Sequence, residues 1–576
     1  MSEVHTIDAQ KNIASNTPKA WYLKKGQYQI QPYNAIRLLV CGKVAFGAIE
    51  TAIRDATKTI DIISWGFDPA MSFSGRGGKR VGDLLFEKAK LGIKVRILIW
   101  HTIGGNHLGD NLPGIGWDWT KSKSEEALPG GSDDDGWYRE KWYFKLKTAK
   151  NIYFRTREMV ALHSEDGYAV SSLVKSAYPS HHQKTVVIDY ELANPEKSVG
   201  FVMGHNMMMH YWDNSAHLDN DAKRFEGCDA WQDLSTRVTG PILYDLNQNF
   251  VEAWDKPFTT KRDYNFMKDM ESDLTGHRKS IQAQSFVSKE NKLHAQILRT
   301  QPQYSKTEIH DAYTIALRNA HNYIYMENQY FRHEELTKYL LDIQAKNKKD
   351  GRIGNLYLFV VTNTPNSEGE APTTYNVMKM LGKPEGMRNY EGNDKNMDWF
   401  EKGVNHVLGI KVKGEESPQY KMDMDKVRSK LSAAGIIVTI ATLKTAKGVP
   451  IYVHSKLLLV DDSFFLLGSA NYNDRSMRVD SEIAVITADY ELASQSRQAL
   501  WELHSGMDGG KCTQENMNTT YRVWKDMMSK NLTNYTKIQN KKAKKNPIDP
   551  KDLLDHHLVD FYYDGKYTGY WGVKDA

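Results

Sequence analysis

A chain of 576 residues, 40% hydrophobic and 26% charged, is too long for one small core and too apolar to be disordered. Its net charge of +5 is too slight for the concentrated basic surface of a dedicated nucleic-acid binder, so no nucleic acid is expected as a partner. Three cysteines, Cys41, Cys228 and Cys512, cannot frame a disulfide scaffold and have no zinc-site spacing.

In chain order, the first twenty residues lack the basic start and apolar core of a secretory signal, which gives cytoplasmic folding as the expectation. No later run approaches the ~18 apolar residues that would cross a bilayer. The first amphipathic helix carries Ala52, Ile53 and Ala56 and passes into a short apolar strand over 60–64; a second helix over 84–90 leads into a strand over 95–100. A long Gly-rich stretch follows between Gly104 and Asp135, with Trp117, Trp119, Trp137 and Trp142 in or beside it. Asp133, Asp134 and Asp135 lack the alternation of a calcium loop and read as solvated acid.

The second half repeats the first. Ile53 answers to Leu317 and Phe67 to Phe331, at an offset of 264 throughout, and a helix over 336–345 again leads into a strand over 356–361. Helices alternating with nearly continuous apolar strands indicate buried, largely parallel sheets covered on both faces. The expected architecture is therefore α/β, in two lobes over 1–275 and 276–530 with a polar junction around 261–291. A tail over 531–576 is basic, then aromatic-rich. Its Lys541, Lys542, Lys544 and Lys545 read as a solvated linker.

The most informative residues fall at matching places in the two lobes. His182-Gln-Lys184 runs through Thr185–Ile188 to Asp189, and His454-Ser-Lys456 through Leu457–Val460 to Asp461. Both read H-x-K-x-x-x-x-D, a pattern that one chain in roughly ten would carry once by accident, but not twice in register with a repeat. On a strand, residues i and i+2 share a face, so each Lys sets a cation beside its own imidazole. A structural protein gains little from such pairs, whereas a site holding an anion next to a base needs them. Asp189 and Asp461 complete the two sets as supports, because alternation points them away from their own His and Lys.

After each motif comes a strand and a small-residue turn ending in Asn: Phe201 to Asn206, and Phe465 through Ser469 to Asn471. The Asn206 and Asn471 amides and the Ser469 hydroxyl are candidate donors to an oxyanion. Asp213 and Glu482 are candidate carboxylates to accept Nδ1–H from the two imidazoles and leave each Nε2 free to react. His181 points away from His182, and His205, His210 and His217 have no ligand spacing, so no metal is expected and these histidines read as structural. Met207, Met208 and Met209 fit either the core or an apolar entrance.

The paired motifs resemble the phospholipase D superfamily. SHHQKTVVID, AWQDLSTRVTGPILYDL, YIYMENQYF, YVHSKLLLVDDSFFLLGSANYNDRSM and DSEIAVI further resemble its phosphatidylcholine-type members, over about residues 45–505. Met203 departs from the pattern, standing where the family usually has Gly or Ser. The resemblance implies two pseudo-twofold-related lobes, each a largely parallel β-sheet flanked by helices, with both motifs in one site. It implies hydrolysis of the distal phosphodiester of glycerophospholipids through a phosphohistidine, with no cofactor. By family position, His182 is the nucleophile and His454 the acid, then base. Lys184, Lys456, Asn206, Asn471 and Ser469 then hold phosphate oxygens in place of a metal. The runner-up readings are a nuclease of the same superfamily and a phosphatidyltransferase like cardiolipin synthase. A phospholipid membrane surface is the implied partner, for which the tryptophans named above offer shallow docking. A compact member of this kind is similar to antibacterial type VI secretion effectors. That similarity implies delivery into a target cell, an immunity protein and a secretion carrier.

Overall fold

The structure is a computed structural model. It describes residues 21–101, 111–114, 135–157, 179–256 apart from 193, 265–266, 273–366, 370–390 and 424–563. Trp117, Trp119, Asp133 and Asp134 lie outside the described residues.

Each lobe is built on one sheet, and the two sheets share a strand order. In the first the order is Gln31–Val40, Leu234–Thr239, Val199–Met203, Thr185–Ile188, Thr59–Ser64, Lys94–Trp100 and Ile152–Arg157. In the second it is Leu293–Gln301, Glu482–Thr487, Phe464–Gly468, Lys456–Val460, Tyr323–Asn328, Leu356–Val361 and Ile436–Lys444. The parallel pairing expected from helix–strand alternation holds for the last three strands of each series, where helices make the crossovers. The other pairings are antiparallel, because short turns join Thr185–Ile188 to Val199–Met203 and Lys456–Val460 to Phe464–Gly468. Each sheet is thus mixed. Gln31–Val40 also pairs antiparallel with Leu293–Gln301 and ties the two sheets together.

The helix Cys41–Asp55 buries Ala45, Phe46, Ile49 and Ile53, a stripe at three- and four-residue spacing, against the first sheet. The helix Glu308–Asn319 buries Ile309, Ala312, Tyr313, Ala316 and Leu317 against the second. The helix Gln514–Ala543 crosses residue 531, so the tail boundary drawn from composition falls inside an element. Its narrow stripe of Met517, Thr520, Trp524, Met528, Asn531, Asn534 and Ile538 is too polar to read as amphipathic from hydropathy alone. Beyond it, Leu558–Asp560 adds an edge strand to Ile436–Lys444, and Phe561 and Tyr563 enter the second core.

Trp142 does not face a lipid surface: it is buried among Phe67, Phe86, Tyr143 and Phe154. Met207 and Met208 are likewise core residues, as is Met203.

One buried acid outside the motifs gives the fold a pH dependence. Asp245, on the helix Ile242–Asp255, accepts from Gln31 Nε2 at 3.3 Å through Oδ1, while Oδ2 is buried without a partner. Burial pushes its pKa from 3.8 up to about 7, with Gln31 opposing. The folded state therefore keeps a proton that the unfolded chain has already lost. Stability from this group is full below about pH 4 and falls as pH rises towards about 7, at about 1.4 kcal/mol per unit. Asp245→Asn removes that fall. Urea midpoints at pH 5 and pH 8 should differ less in the variant than in the wild type, and an undiminished difference would count against the assignment.

Candidate active site

Each histidine is delivered by one lobe and clamped by the other. The segment leading to Thr185–Ile188 runs beside residues 480–482: Ser481 N–H donates to Ser180 O and His182 N–H to Ser481 O, both at 2.9 Å. The strand Pro450–Val453 runs parallel to Trp231–Gln232, with Tyr452 N–H on Ala230 O at 2.9 Å and His454 N–H on Gln232 O at 2.7 Å. In consequence His182 Nδ1 lies 2.9 and 3.1 Å from the Glu482 carboxylate oxygens of the second lobe. His454 Nδ1 lies 2.8 Å from Asp233 Oδ2 of the first. Each carboxylate holds the tautomer that frees Nε2, and His454 Nε2 is buried without a partner.

The lysines complete a buried cationic floor. Lys184 Nζ donates to His182 O at 2.8 Å, and Lys456 Nζ donates to Gln329 Oε1 at 3.0 Å and to His454 O. Burial pushes both imidazoles well below 6.5, and the charges of Lys184 and Lys456 each push both further, so all four groups share one electrostatic site. Burial also raises Asp233 to about 7 and Glu482 to about 8, against the downward pull of Lys456 and Lys184 respectively. An anion set between the lysines offsets their charge and brings an imidazolium within reach.

Rings wall this floor. Trp65 meets His182 edge-on at 6.4 Å and stacks on Trp100 at 5.8 Å. Tyr211 meets His454 edge-on at 4.8 Å, Trp231 lies 5.6 Å from it, and Trp231 stacks on Tyr452 at 4.6 Å. These walls keep the dielectric low, which strengthens every charge interaction within.

The structure places the remaining sequence candidates as follows. Asp189 and Asp461 sit at the far ends of their strands in left-handed backbone, with φ of 58° and 53°. Asp189 accepts the N–H groups of Thr57, Lys58 and Thr59; Asp461 accepts those of His321, Asn322 and Tyr323. They tie the repeated helix–strand turns and make no hydrogen bond to His182 or His454. The Ser469 hydroxyl donates to Glu482 Oε2, so it is committed to a carboxylate and not to phosphate. Asn206 donates one N–H to Tyr211 OH at 2.7 Å while its carbonyl accepts Gly66 N–H at 3.2 Å, which leaves its second N–H. Asn471 is buried with Oδ1 unpartnered.

Asp213 is corrected. It contacts neither motif histidine: it lies 2.9 Å from His217 Nδ1 and accepts from Arg224 Nη2 at 2.8 Å and Trp231 N at 2.9 Å. Burial pushes its carboxyl up, but His217 and Arg224 outweigh that and hold it below the usual range. The carboxylate on His454 is Asp233, which sequence reasoning missed. The equivalence shows in the sheet register: Gly204 N–H donates to Leu234 O and Ser469 N–H to Ile483 O, both at 2.9 Å, so Asp233 and Glu482 hold equivalent places directly before those acceptors. The longer loop between Asn206 and Asp233 hid the match. Gly204 itself is required, since a Cβ there would lie 2.2 Å from Asp233 Oδ1.

His181 and His205 are buried and His210 is half-buried; desolvation pushes them down to about 3, 3 and 4 respectively. Among the described residues no three His, Cys, Asp or Glu side chains gather to hold a metal, and no helix is long and apolar enough to cross a membrane.

Comparison with known proteins gives three findings. Residues 52–347 match the family described as Phospholipase D, and residues 361–504 match that described as Cardiolipin synthase, PLD-like domain. Phospholipase D alpha 1 of Zea mays is 26% identical over 522 residues, covering 75% of this chain and 59% of its own length. Its Oryza sativa subsp. japonica counterpart is 27% identical over 554 residues, covering 79% and 63%. The chain thus spans about three-fifths of the length of these relatives. Among solved structures, phosphatidylserine synthase of Haemophilus influenzae Rd KW20 is similar with a TM-score of 0.44 and 13% identity, covering 82% of this chain and 86% of that one.

Proposed function

Because the chain belongs to the phospholipase D family, we propose that it cleaves the distal phosphodiester of glycerophospholipids, releasing the headgroup and leaving phosphatidic acid. The observation that carries this reading is the reciprocal clamp. Two imidazoles, each fixed at Nδ1 by the opposite lobe's carboxylate, present Nε2 over a floor of two lysines.

In the first step His182 Nε2 attacks phosphorus as the bond to the headgroup oxygen breaks. The electron pair stays on that oxygen, which takes the proton of His454 Nε2. Lys184 and Lys456 offset the charge growing on the non-bridging oxygens. In the second step neutral His454 takes a proton from water, the hydroxide attacks the phosphohistidine, and His182 leaves as the free imidazole. Glu482 and Asp233, raised by burial while the imidazole beside each is neutral, are held as carboxylates by the imidazolium once it forms and balance its charge.

A second reading follows from the match of residues 361–504: an alcohol in place of water would make the protein a phosphatidyltransferase through the same intermediate. Delivery as an antibacterial effector, with an immunity protein and a secretion carrier, is a finer proposal that rests on the sequence resemblance alone.

Purified protein is given mixed phospholipid vesicles with EDTA and a trace of primary alcohol. Phosphatidic acid and phosphatidyl-alcohol should both form, since the site's own lysines supply its positive charge. Phosphatidyl-alcohol without phosphatidic acid would favour the transferase, and cleavage of nucleic acid but of no lipid would favour a nuclease.

A further inference from the structure

The pseudo-twofold is broken directly behind the two histidines. Glu327, on the strand Tyr323–Asn328, is fully buried. Its Oε1 accepts from Ser455 Oγ at 2.6 Å and from Gln232 Nε2 at 2.7 Å; its Oε2 accepts from Tyr325 OH at 2.7 Å and lies 3.0 Å from His504 Nε2. Ser455 directly follows His454, and Gln232 directly precedes Asp233 and accepts the His454 N–H through its carbonyl. Both neighbours of the His454–Asp233 pair are therefore anchored on one carboxylate.

Behind His182 the equivalent place is apolar. Ile63 faces Thr185 across the first sheet as Glu327 faces Leu457 across the second. The backing comes instead from a cation: Gln183, directly after His182, accepts from Asn249 Nδ2 at 2.7 Å, and Asn249 Oδ1 accepts from Arg299 Nη1 at 3.0 Å. Arg299 is buried.

We propose that Glu327 is a positioning residue for His454, a buried carboxylate that acts through Ser455 and Gln232 to make His454, and not His182, the proton donor to the leaving oxygen. A fixed anion behind His454 stabilises its imidazolium, and a fixed cation behind His182 favours the neutral, attacking imidazole; Asp480, which also bears on His182 and pulls the other way, is itself paired with Arg475. The inference rests on the phosphodiesterase reading above.

Other charges bear on both groups. Glu327 is faced by His504 and by the Asp233 carboxyl, with Cys41, His217 and Asp213 behind Gln232. Arg299 is faced by Glu252 at 3.0 Å, by the Tyr28 ring and by Glu308, which accepts its backbone N–H. Burial pushes the Glu327 carboxyl up, but His504, Ser455 and Gln232 together hold it below its usual range, so it is an anion at neutral pH.

The test separates leaving groups. Choline leaves phosphatidylcholine as a strongly basic alkoxide that needs a proton, whereas p-nitrophenolate leaves its phosphatidyl ester without one. Glu327→Gln should lower choline release about 10- to 100-fold, less than the ~10²–10⁴ that loss of the general acid itself would cost. The burst of p-nitrophenolate, which reports the first step alone, should stay within about threefold. Glu327→Asp should recover part of the loss. Ser455→Ala, which cuts one link and keeps the charge, should show a smaller loss of the same kind and carries the test if Glu327→Gln does not fold. Equal losses on both substrates, or none, in active wild-type background would overturn the inference. Wild-type protein that cleaves neither substrate would overturn the function reading, and this inference with it.

Discussion

His182→Ala and His454→Ala each lower phosphodiester turnover by at least about a thousandfold, with thermal unfolding shifted by no more than a few degrees. The reason is the crossed geometry. His182 is held by Glu482 from the second lobe and His454 by Asp233 from the first, so neither lobe contains a working half-site. The two variants nevertheless fail differently. With a p-nitrophenyl leaving group, His454→Ala still forms the phosphohistidine but lacks the base that activates water, so the intermediate accumulates. His182→Ala forms none. Acid-sparing digestion and mass spectrometry of quenched enzyme should find the phosphoryl group on His182 alone. Near-normal turnover in either variant, or phosphorylation of His454, would refute the single-site assignment.

How much of this was legible in the sequence depends on the range of the interaction that fixes each residue. The repeated helix–strand units are set by local hydrophobic spacing, so Ile53 and Leu317 could be aligned by eye, and each falls on a buried helix face. The His–Lys pairs were legible because strand alternation alone brings i and i+2 together. Asp233 was not: its equivalence to Glu482 depends on which carbonyl the Gly204 and Ser469 amides reach across the sheet, a register that an intervening loop of different length conceals. Asp213 was plausible by position and wrong by direction, because His217, four residues on, captures it. Ser469 illustrates the converse. A hydroxyl in a small-residue turn suits an oxyanion, yet the nearest acceptor is the carboxylate the same sheet delivers beside it. Hydropathy does not reveal the tail helix, because polar Thr520, Asn531 and Asn534 occupy its buried stripe. Asn531 there donates to Asp555 O and Leu558 O, work that hydropathy cannot register.

The correction at Asp213 makes the sharper of the remaining predictions. Asp233→Asn keeps the shape of the side chain but removes the charge that balances a His454 imidazolium. It should lower kcat by about 10²–10⁴, the range of general acid–base assistance, with KM little changed. Glu482→Gln should act similarly through His182, and Ser469→Ala, which removes only one donor to that carboxylate, should act in the same direction and less. Asp213→Asn belongs to a different class. It strands the buried Arg224 guanidinium and His217 ring, and breaking one partner of a buried pair costs about 3–5 kcal/mol. The loss should therefore appear in the urea midpoint, while turnover per folded molecule stays within about tenfold. Gln232 links this cluster to the site, through His217 Nε2 at 3.0 Å, so a modest effect on turnover is expected and a large one is not. Measured side by side, kcat and unfolding midpoint should fall on opposite sides for Asp233 and Asp213. A stable Asp213→Asn protein without activity, beside an active Asp233→Asn, would restore the assignment that the structure overturned.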